Sequence, residues 1–223
     1  MGYHHNDMSI KDQFYIKPIS NKIAMDMVKV NHYLHRQCPS SFRFGLFDKT
    51  DNLIGVVIYG TPSSATLRSG ICGESEKYNV IELTRLWIKD GTPKNVESFL
   101  VGNTLRLVDK EIIVSFADPS VNHLGVIYQA TNFYYTGLSA KRTDWKVKGL
   151  NKHSQTIGDK YTVKELREKF GENFYLESRP QKHRYIFFNC NTKRRDKLLA
   201  KLRYPILPYP KKKTTLGSYP RDS

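Results

Sequence analysis

A chain of 223 residues with 39% hydrophobic and 12% aromatic side chains is rich enough in apolar groups to bury a core, which excludes wholesale disorder. No apolar run approaches the ~18 residues of a membrane span, and "MGYHHNDMSIKDQ" lacks the apolar segment of a secretion signal, so no membrane partner and a cytoplasmic location are expected. The formal charge is +15, and it is unevenly spread: residues 1–138 carry 14 basic and 13 acidic side chains, residues 139–223 carry 22 and 8.

In chain order, Gln13–Ile19 reads as a strand. Ser20 or Asn21 then caps a helix that places Ile23, Met27, Val30 and Leu34 on one face. "SFRFGLFD" and "NLIGVVIYG" are two strands joined across "KTDN" as a hairpin, and a polar loop is expected over 61–78. "NVIELTRLWI" is a strand. In "GTPKNVESFLVGNTLRLVDKE", Gly91 breaks the pattern and Pro93 sits near the start of a helix with Val96, Phe99, Leu100 and Leu107 along one stripe. "IIVSFAD" is a short buried strand, "NHLGVIYQAT" a short helix and "FYYTGLS" another strand. The centre therefore alternates strand and helix after an antiparallel hairpin, with 79–118 a parallel crossover in a mixed α/β sheet.

From 140 to 182 the apolar periodicity weakens. This excursion is interrupted by "TVKELREKFG", a short helix with a capping box between Thr162 and Glu165 and a terminating Gly171. "HRYIFFNC" returns as a strand, and "KRRDKLLAKLRYP" is a basic helix burying Leu198, Leu199 and Leu202. The tail through 223 reads as surface. Cys38, Cys72 and Cys190 are an odd, widely spaced set without metal-site spacing, as reduced thiols would be. Basic residues interleaved with aromatics ("DWKVKG", "HRYIFF", "RYPILPYPKKK") favour a nucleic-acid partner over a merely solvated surface.

The order of these elements resembles the Gcn5-related (GNAT) acyltransferase fold. More closely, "NHY" (31–33), "YG-x-P" (59–62), "ELTRLW" (82–87), "PKNVESF" with "LRL" (93–107), "ADPSVNHLGVIYQATNF" (117–133) and "KHRYIFF" (182–188) resemble the phage Mom family of DNA adenine-modification proteins. The resemblance implies a single GNAT-like α/β domain: a core over 13–139 and 183–190, a basic insertion over 140–182, and a basic C-terminal helix and tail over 191–223. It further implies carbamoylmethylation of the N6 amine of adenine in phage DNA within the host cytoplasm, protecting that DNA from restriction.

In such a fold two central parallel strands splay and the reactants meet in the gap. Tyr128 would then act as a general acid, since a phenol delivers a proton without being ionised at neutral pH, with Asp118, His32 and Tyr33 as its companions. Glu82 and Arg85, by odd spacing, are expected on opposite faces of their strand. Donor contacts are expected from Arg85, Asn95, Ser98 and Ser115. The loop "KDGTPKNVES" has one glycine and a proline without an N–H, a poor pyrophosphate cradle, so acyl-CoA and a glycine-derived donor such as an aminoacyl-tRNA both stand. Simple acyl transfer would give an amide, so a carbamoylmethyl product needs further chemistry. The resemblance also hints at iron.

Double-stranded DNA with its adenine flipped or locally opened is the expected partner. Its phosphates would be gripped by Lys146, Lys148, Lys152, Lys182, Arg184, Arg194, Arg195, Lys211, Lys212 and Lys213. Two other readings stand beside this one: a non-catalytic DNA-binding protein on the same fold, and acyl-CoA-dependent acetylation of tRNA or protein.

Overall fold

The computed structural model describes residues 9–32, 35, 37–150, 157–158 and 160–211. A short helix α1 (Ile10–Gln13) leads to β1 (Phe14–Pro18), α2 (Asn21–Asn31), β2 (Phe42–Asp48), β3 (Leu53–Gly60), α3 (Ala65–Cys72), β4 (Val80–Ile88) and α4 (Val96–Thr104). β5 (Ile112–Ala117), α5 (Val126–Ala130), β6 (Tyr134–Leu138), β7 (Arg142–Val147), α6 (Val163–Phe170), β8 (Phe174–Arg179), β9 (His183–Phe188) and α7 (Thr192–Lys201) follow. Seven strands form one mixed sheet in the order β1-β2-β3-β4-β5-β9-β6, and β7 pairs with β8 in a separate ribbon. Among the described residues of the large sheet only β4 and β5 run parallel. This is the mixed, helix-flanked α/β sheet of a GNAT-like fold.

Local sequence explains the first elements. Asp48 organises the "KTDN" turn, its Oδ1 accepting the Thr50 and Asn52 N–H groups at 2.9 and 3.0 Å, as short acidic side chains do in turns. Ser20 caps α2 by accepting the Ile23 N–H. The buried stripe of α2 is Ala24, Met25 and Val28, packed on Val56 and Ile58. Ile23 and Val30 are instead 46% and 72% exposed, and Leu34 lies outside the described residues. The buried face is thus rotated from the expected one, and it turns Ala24, with its single methyl group, toward the Val56 and Ile58 surface of the sheet.

The sheet is covered on both sides. Against α4 lie Ile81, Leu83 and Ile113, with Val96, Leu100 and Val101 from the helix; Leu107, beyond the helix in a 3-10 turn, is exposed. Against α3 and α7 lie Val80, Ile112, Val114 and Ile186, with Ile71, Cys72 and Leu198. Each fully buried aliphatic side chain contributes about 1.5–3 kcal/mol, so these layers hold β4 and β5 where the site needs them. Residues 61–78, read as a polar loop, contain α3 and a 3-10 helix over Glu74–Asn79. Ser64 caps α3, and Glu76 anchors its end to α7 through Arg194 and Lys201.

The described residues of the insertion pack around a centre of their own. Val147, Ile157 and Leu166 form a small core with Trp145 and Phe174 around it. The Thr162–Glu165 capping box starts α6 as its sequence indicates. β9 then returns to the main sheet between β5 and β6, antiparallel to both.

Candidate functional site

Parallel pairing of β4 with β5 is confined to Val80–Glu82 opposite Ile112–Val114. Beyond that the strands fork. Ser115 is fully buried at the fork, where its hydroxyl donates to the Leu83 carbonyl at 3.1 Å; it staples the strands and offers a donor no surface. A cleft of about 430 Å³ opens in the gap, bordered by β4 residues Glu82 to Leu86 and by the 116–128 segment, a size that suits a small ligand.

A β-bulge determines what faces this cleft. Ile58 pairs with Arg85 but Tyr59 with Leu83, which leaves Thr84 as the extra residue. Its hydroxyl donates to the Ile58 and Pro39 carbonyls. An extra residue resets the two-residue alternation of a strand. Glu82 and Arg85 therefore share a face, contrary to their odd spacing, and both line the cleft. The signal was in the apolar pattern: Ile81 and Leu83 are two apart, whereas Leu83 and Leu86, on the same core face, are three apart.

Burial pushes the Glu82 carboxyl up to about 7, against the pull of Arg85 and Lys182. A carboxyl poised there exchanges protons readily near neutrality. His32 follows α2 as its C-cap in extended conformation and is only 7% exposed. Burial, then the charges of Arg85, His35 and His123, hold it down to about 4, so it is a neutral imidazole. His35 turns away: it is exposed, with positive φ, and its Nδ1 lies 2.9 Å from the Lys29 carbonyl.

The opposite wall is the 118–128 corner. Asp118 Oδ1 accepts the Ser120 N–H at 3.0 Å and its hydroxyl at 2.5 Å, while Oδ2 pairs with Lys182 at 3.2 Å. Burial opposes ionisation of this carboxyl, but the Ser120 bonds and Lys182 outweigh it and hold it below the usual range. Asp118 is not brought to the cleft surface, whereas its partner Lys182 is. Tyr128 does line the cleft, its ring packed 5.4 Å from Phe133 and 5.3 Å from Tyr185. Tyr185 fixes the corner by donating to the Leu124 carbonyl and accepting from Gln129. Gly125 has φ +75°, and a Cβ there would meet the Tyr185 ring at 2.4 Å, so only glycine lets the corner close on that ring.

Asn95 and Ser98 are not at this cleft. Asn95 precedes α4 in left-handed conformation, Ser98 donates to its carbonyl at 2.9 Å, and both line a separate hollow beside α5. Tyr33 lies outside the described residues. Among the described residues no three His, Cys, Asp or Glu side chains converge as a metal site, so the iron expectation finds no fitting ligand set among them.

The basic residues divide into two kinds. Arg194 is clamped by Glu76 and Glu111 at 2.7 and 2.8 Å, and Arg184 is buried on Thr136 and the Tyr204 ring. Neither is a free surface cation, because each serves a tertiary contact that its helix or strand sequence does not display. Arg195 lies 3.9 Å from Asp196, and Lys146 lies 3.5 Å from Glu177. Lys148 and Lys211 are exposed; Lys152, Lys212 and Lys213 lie outside the described residues.

Among the described residues, a mixed sheet forked at its single parallel pair defines a GNAT-like fold. The chain belongs to the Mom protein family, which it matches over residues 13–211. It is 28% identical over 210 residues to the methylcarbamoylase mom of Escherichia phage Mu, an alignment covering 88% of this chain and 83% of that protein. Among solved structures it is similar to the spermidine/spermine N-acetyltransferase SpeG of Vibrio cholerae (10% identity, 84% and 99% of the two chains, TM-score 0.49). A ribosomal-protein-S5-alanine acetyltransferase of Vibrio fischeri is also similar (10% identity, 80% and 94%, TM-score 0.46). The fold assignment rests on the topology, not on these loose likenesses. Among the described residues no helix is long and apolar enough to cross a membrane.

Proposed function

We propose that this protein modifies the exocyclic N6 amine of adenine in phage DNA, as a carbamoylmethylating transferase that shields the genome from restriction. The observation that carries the reading is Glu82, a carboxyl held near 7 in the wall of the forked cleft, in a chain of the Mom family. The amine is a poor nucleophile because its lone pair is delocalised into the ring. It must lose a proton as its nitrogen bonds to the donor's carbon, and Glu82 is the group poised to accept that proton. As the bond from that carbon to its leaving group breaks, Tyr128 gives the leaving group a proton.

Arg85, beside Glu82, provides a fixed positive charge where negative charge develops on the donor. His32, neutral and buried, orients rather than titrates. Asp118 acts one step back, positioning Lys182. The donor enters from the His123–Tyr128 side. This step leaves an amide on N6: an acyl-CoA donor would stop there, whereas a glycyl amide is isomeric with the carbamoylmethyl amine and reaches it by a further rearrangement. Nucleoside mass spectrometry of DNA, and separately of tRNA, from cells expressing the protein tests this reading. An adenine nucleoside heavier than the normal one is expected in DNA. Its appearance in tRNA alone would favour the other acceptor.

A further inference from the structure

A second cleft, of about 320 Å³, opens on the other side of the fork and shares Glu82, Phe116 and Lys182 with the first. The gap between β4 and β5 is therefore reached from two mouths, and Glu82 is accessible from both. The second mouth is bordered by Arg142 and Arg179 at the base of the insertion, by Arg184 on β9, and by the Tyr204 ring that follows α7. These come from the strongly basic part of the chain, residues 139–223.

Two features of this mouth call for an anion. Arg142 and Arg179 are direct cross-strand partners, a like-charge pairing that destabilises a ribbon unless it is compensated. Asp144 neutralises Arg179 through bonds of 2.8 and 3.1 Å, but among the described residues no carboxylate lies within 4.0 Å of Arg142, which is exposed. Arg184 is only 7% exposed. It donates to the Thr136 hydroxyl at 2.9 Å and to the Thr136 carbonyl at 2.8 Å, and its guanidinium lies 3.4 Å above the centre of the Tyr204 ring. Among the described residues it too has no carboxylate within salt-bridge distance, and a buried charge without a counter-charge is costly. Guanidinium groups of this kind suit phosphate, and the Phe116 and Tyr204 rings add flat apolar surface of the sort on which bases stack.

We infer that the second mouth receives the target nucleotide, its flanking phosphate held by the exposed Arg142 with the buried charge of Arg184 behind it, and its exocyclic amine directed at Glu82, while the donor uses the first mouth. This assignment rests on the DNA-adenine reading above. It also accounts for the insertion: ribbon β7–β8 carries Arg142 and Arg179 to the edge of the fork, beside Arg184 of the main sheet.

The test uses the full chain and a short DNA duplex carrying one unpaired 8-azidoadenine as a photoreactive probe. Cross-links are expected in the peptides bearing Ser63–Leu67 or Tyr204. Arg142→Glu should weaken affinity for the probe about tenfold or more, as loss of a charge-assisted phosphate contact implies, and Arg142→Lys should restore most of it. Cross-links confined to residues 122–128, no cross-link in either cleft at saturating probe, or unchanged affinity of Arg142→Glu would each overturn the assignment. Nucleosides from co-expressed DNA separate the two failures: modified DNA with a cross-link in the first cleft overturns only the choice of mouth, and unmodified DNA overturns the underlying reading.

Discussion

Glu82→Gln should uncouple stability from activity, and in opposite directions. The carboxyl ordinarily titrates at 4.5 but is held near 7 in the fold, chiefly by burial. A folded-state value above the unfolded one means that ionisation opposes folding. The associated stability is fully present below pH 4.5 and is lost as the pH rises through 7. At 1.36 kcal/mol per pH unit, the ionised side chain costs the fold up to about 3 kcal/mol at pH 8, reduced by whatever water the cleft admits. Glutamine keeps the shape and removes that cost. The variant should therefore match the wild type near pH 4 and melt several degrees higher at pH 8, since each kcal/mol shifts Tm by ~2–4 °C in a domain of this size. Modification should nevertheless fall ~10²–10⁴-fold, and the wild-type rate should rise with pH to a plateau above 7. Thermal melts across pH and nucleoside analysis of co-expressed DNA read the two effects. A variant that is less stable at pH 8, or one that modifies DNA normally, would refute the reasoning.

Tyr128→Phe keeps the ring contacts with Phe133 and Tyr185, so its melt should stay near the wild type while modification falls ~10²–10⁴-fold; near-normal modification would remove the phenol from the chemistry. Asp118→Asn should release Lys182 and reduce modification less than Tyr128→Phe does, with DNA affinity nearly unchanged, as a filter-binding titration would report. Reversing the charge of Lys211, Lys212 and Lys213 should flatten the salt dependence of DNA affinity by roughly 0.9 in slope per lost phosphate contact, without altering the melt. Glu76 is held at about 2 by Arg194 and then Lys201 despite its burial, so its stabilising effect is present above pH 4.5 and lost as the pH falls through 2. Glu76→Gln should lower Tm at pH 7 by a few degrees, corresponding to about 1–3 kcal/mol, and the deficit should vanish in strong acid.

The elements that were legible in the sequence are those set by local physics. The hairpin turn at Asp48, the Ser20 cap and the Thr162–Glu165 capping box each depend on residues within four positions of one another, and all form where expected. The faces and partners were harder. α2 hides Ala24, Met25 and Val28 and exposes Ile23 and Val30, a rotation set by the Val56 and Ile58 surface on which the helix packs. The bulge at Thr84 is a property of the β3–β4 register, of which the sequence shows only the change in apolar spacing from Ile81–Leu83 to Leu83–Leu86. Arg194 finds Glu76 across 118 residues of chain, a distance over which a basic helix looks identical whether it grips phosphate or a buried carboxylate. The forked strands and a place for Tyr128 beside them were legible through the family resemblance; the raised titration point of Glu82 was not, because burial in the fold causes it and its sequence neighbours do not.

The central claim is that a carboxyl in the forked cleft takes a proton from the N6 amine of DNA adenine. Nucleoside mass spectra of DNA from cells expressing the wild type and the folded Glu82→Gln variant at equal levels test it most directly. The account predicts a heavier adenine nucleoside in the wild-type DNA and only normal nucleosides with the variant. Equal amounts of the heavier nucleoside from both proteins, or normal DNA from both, would contradict it.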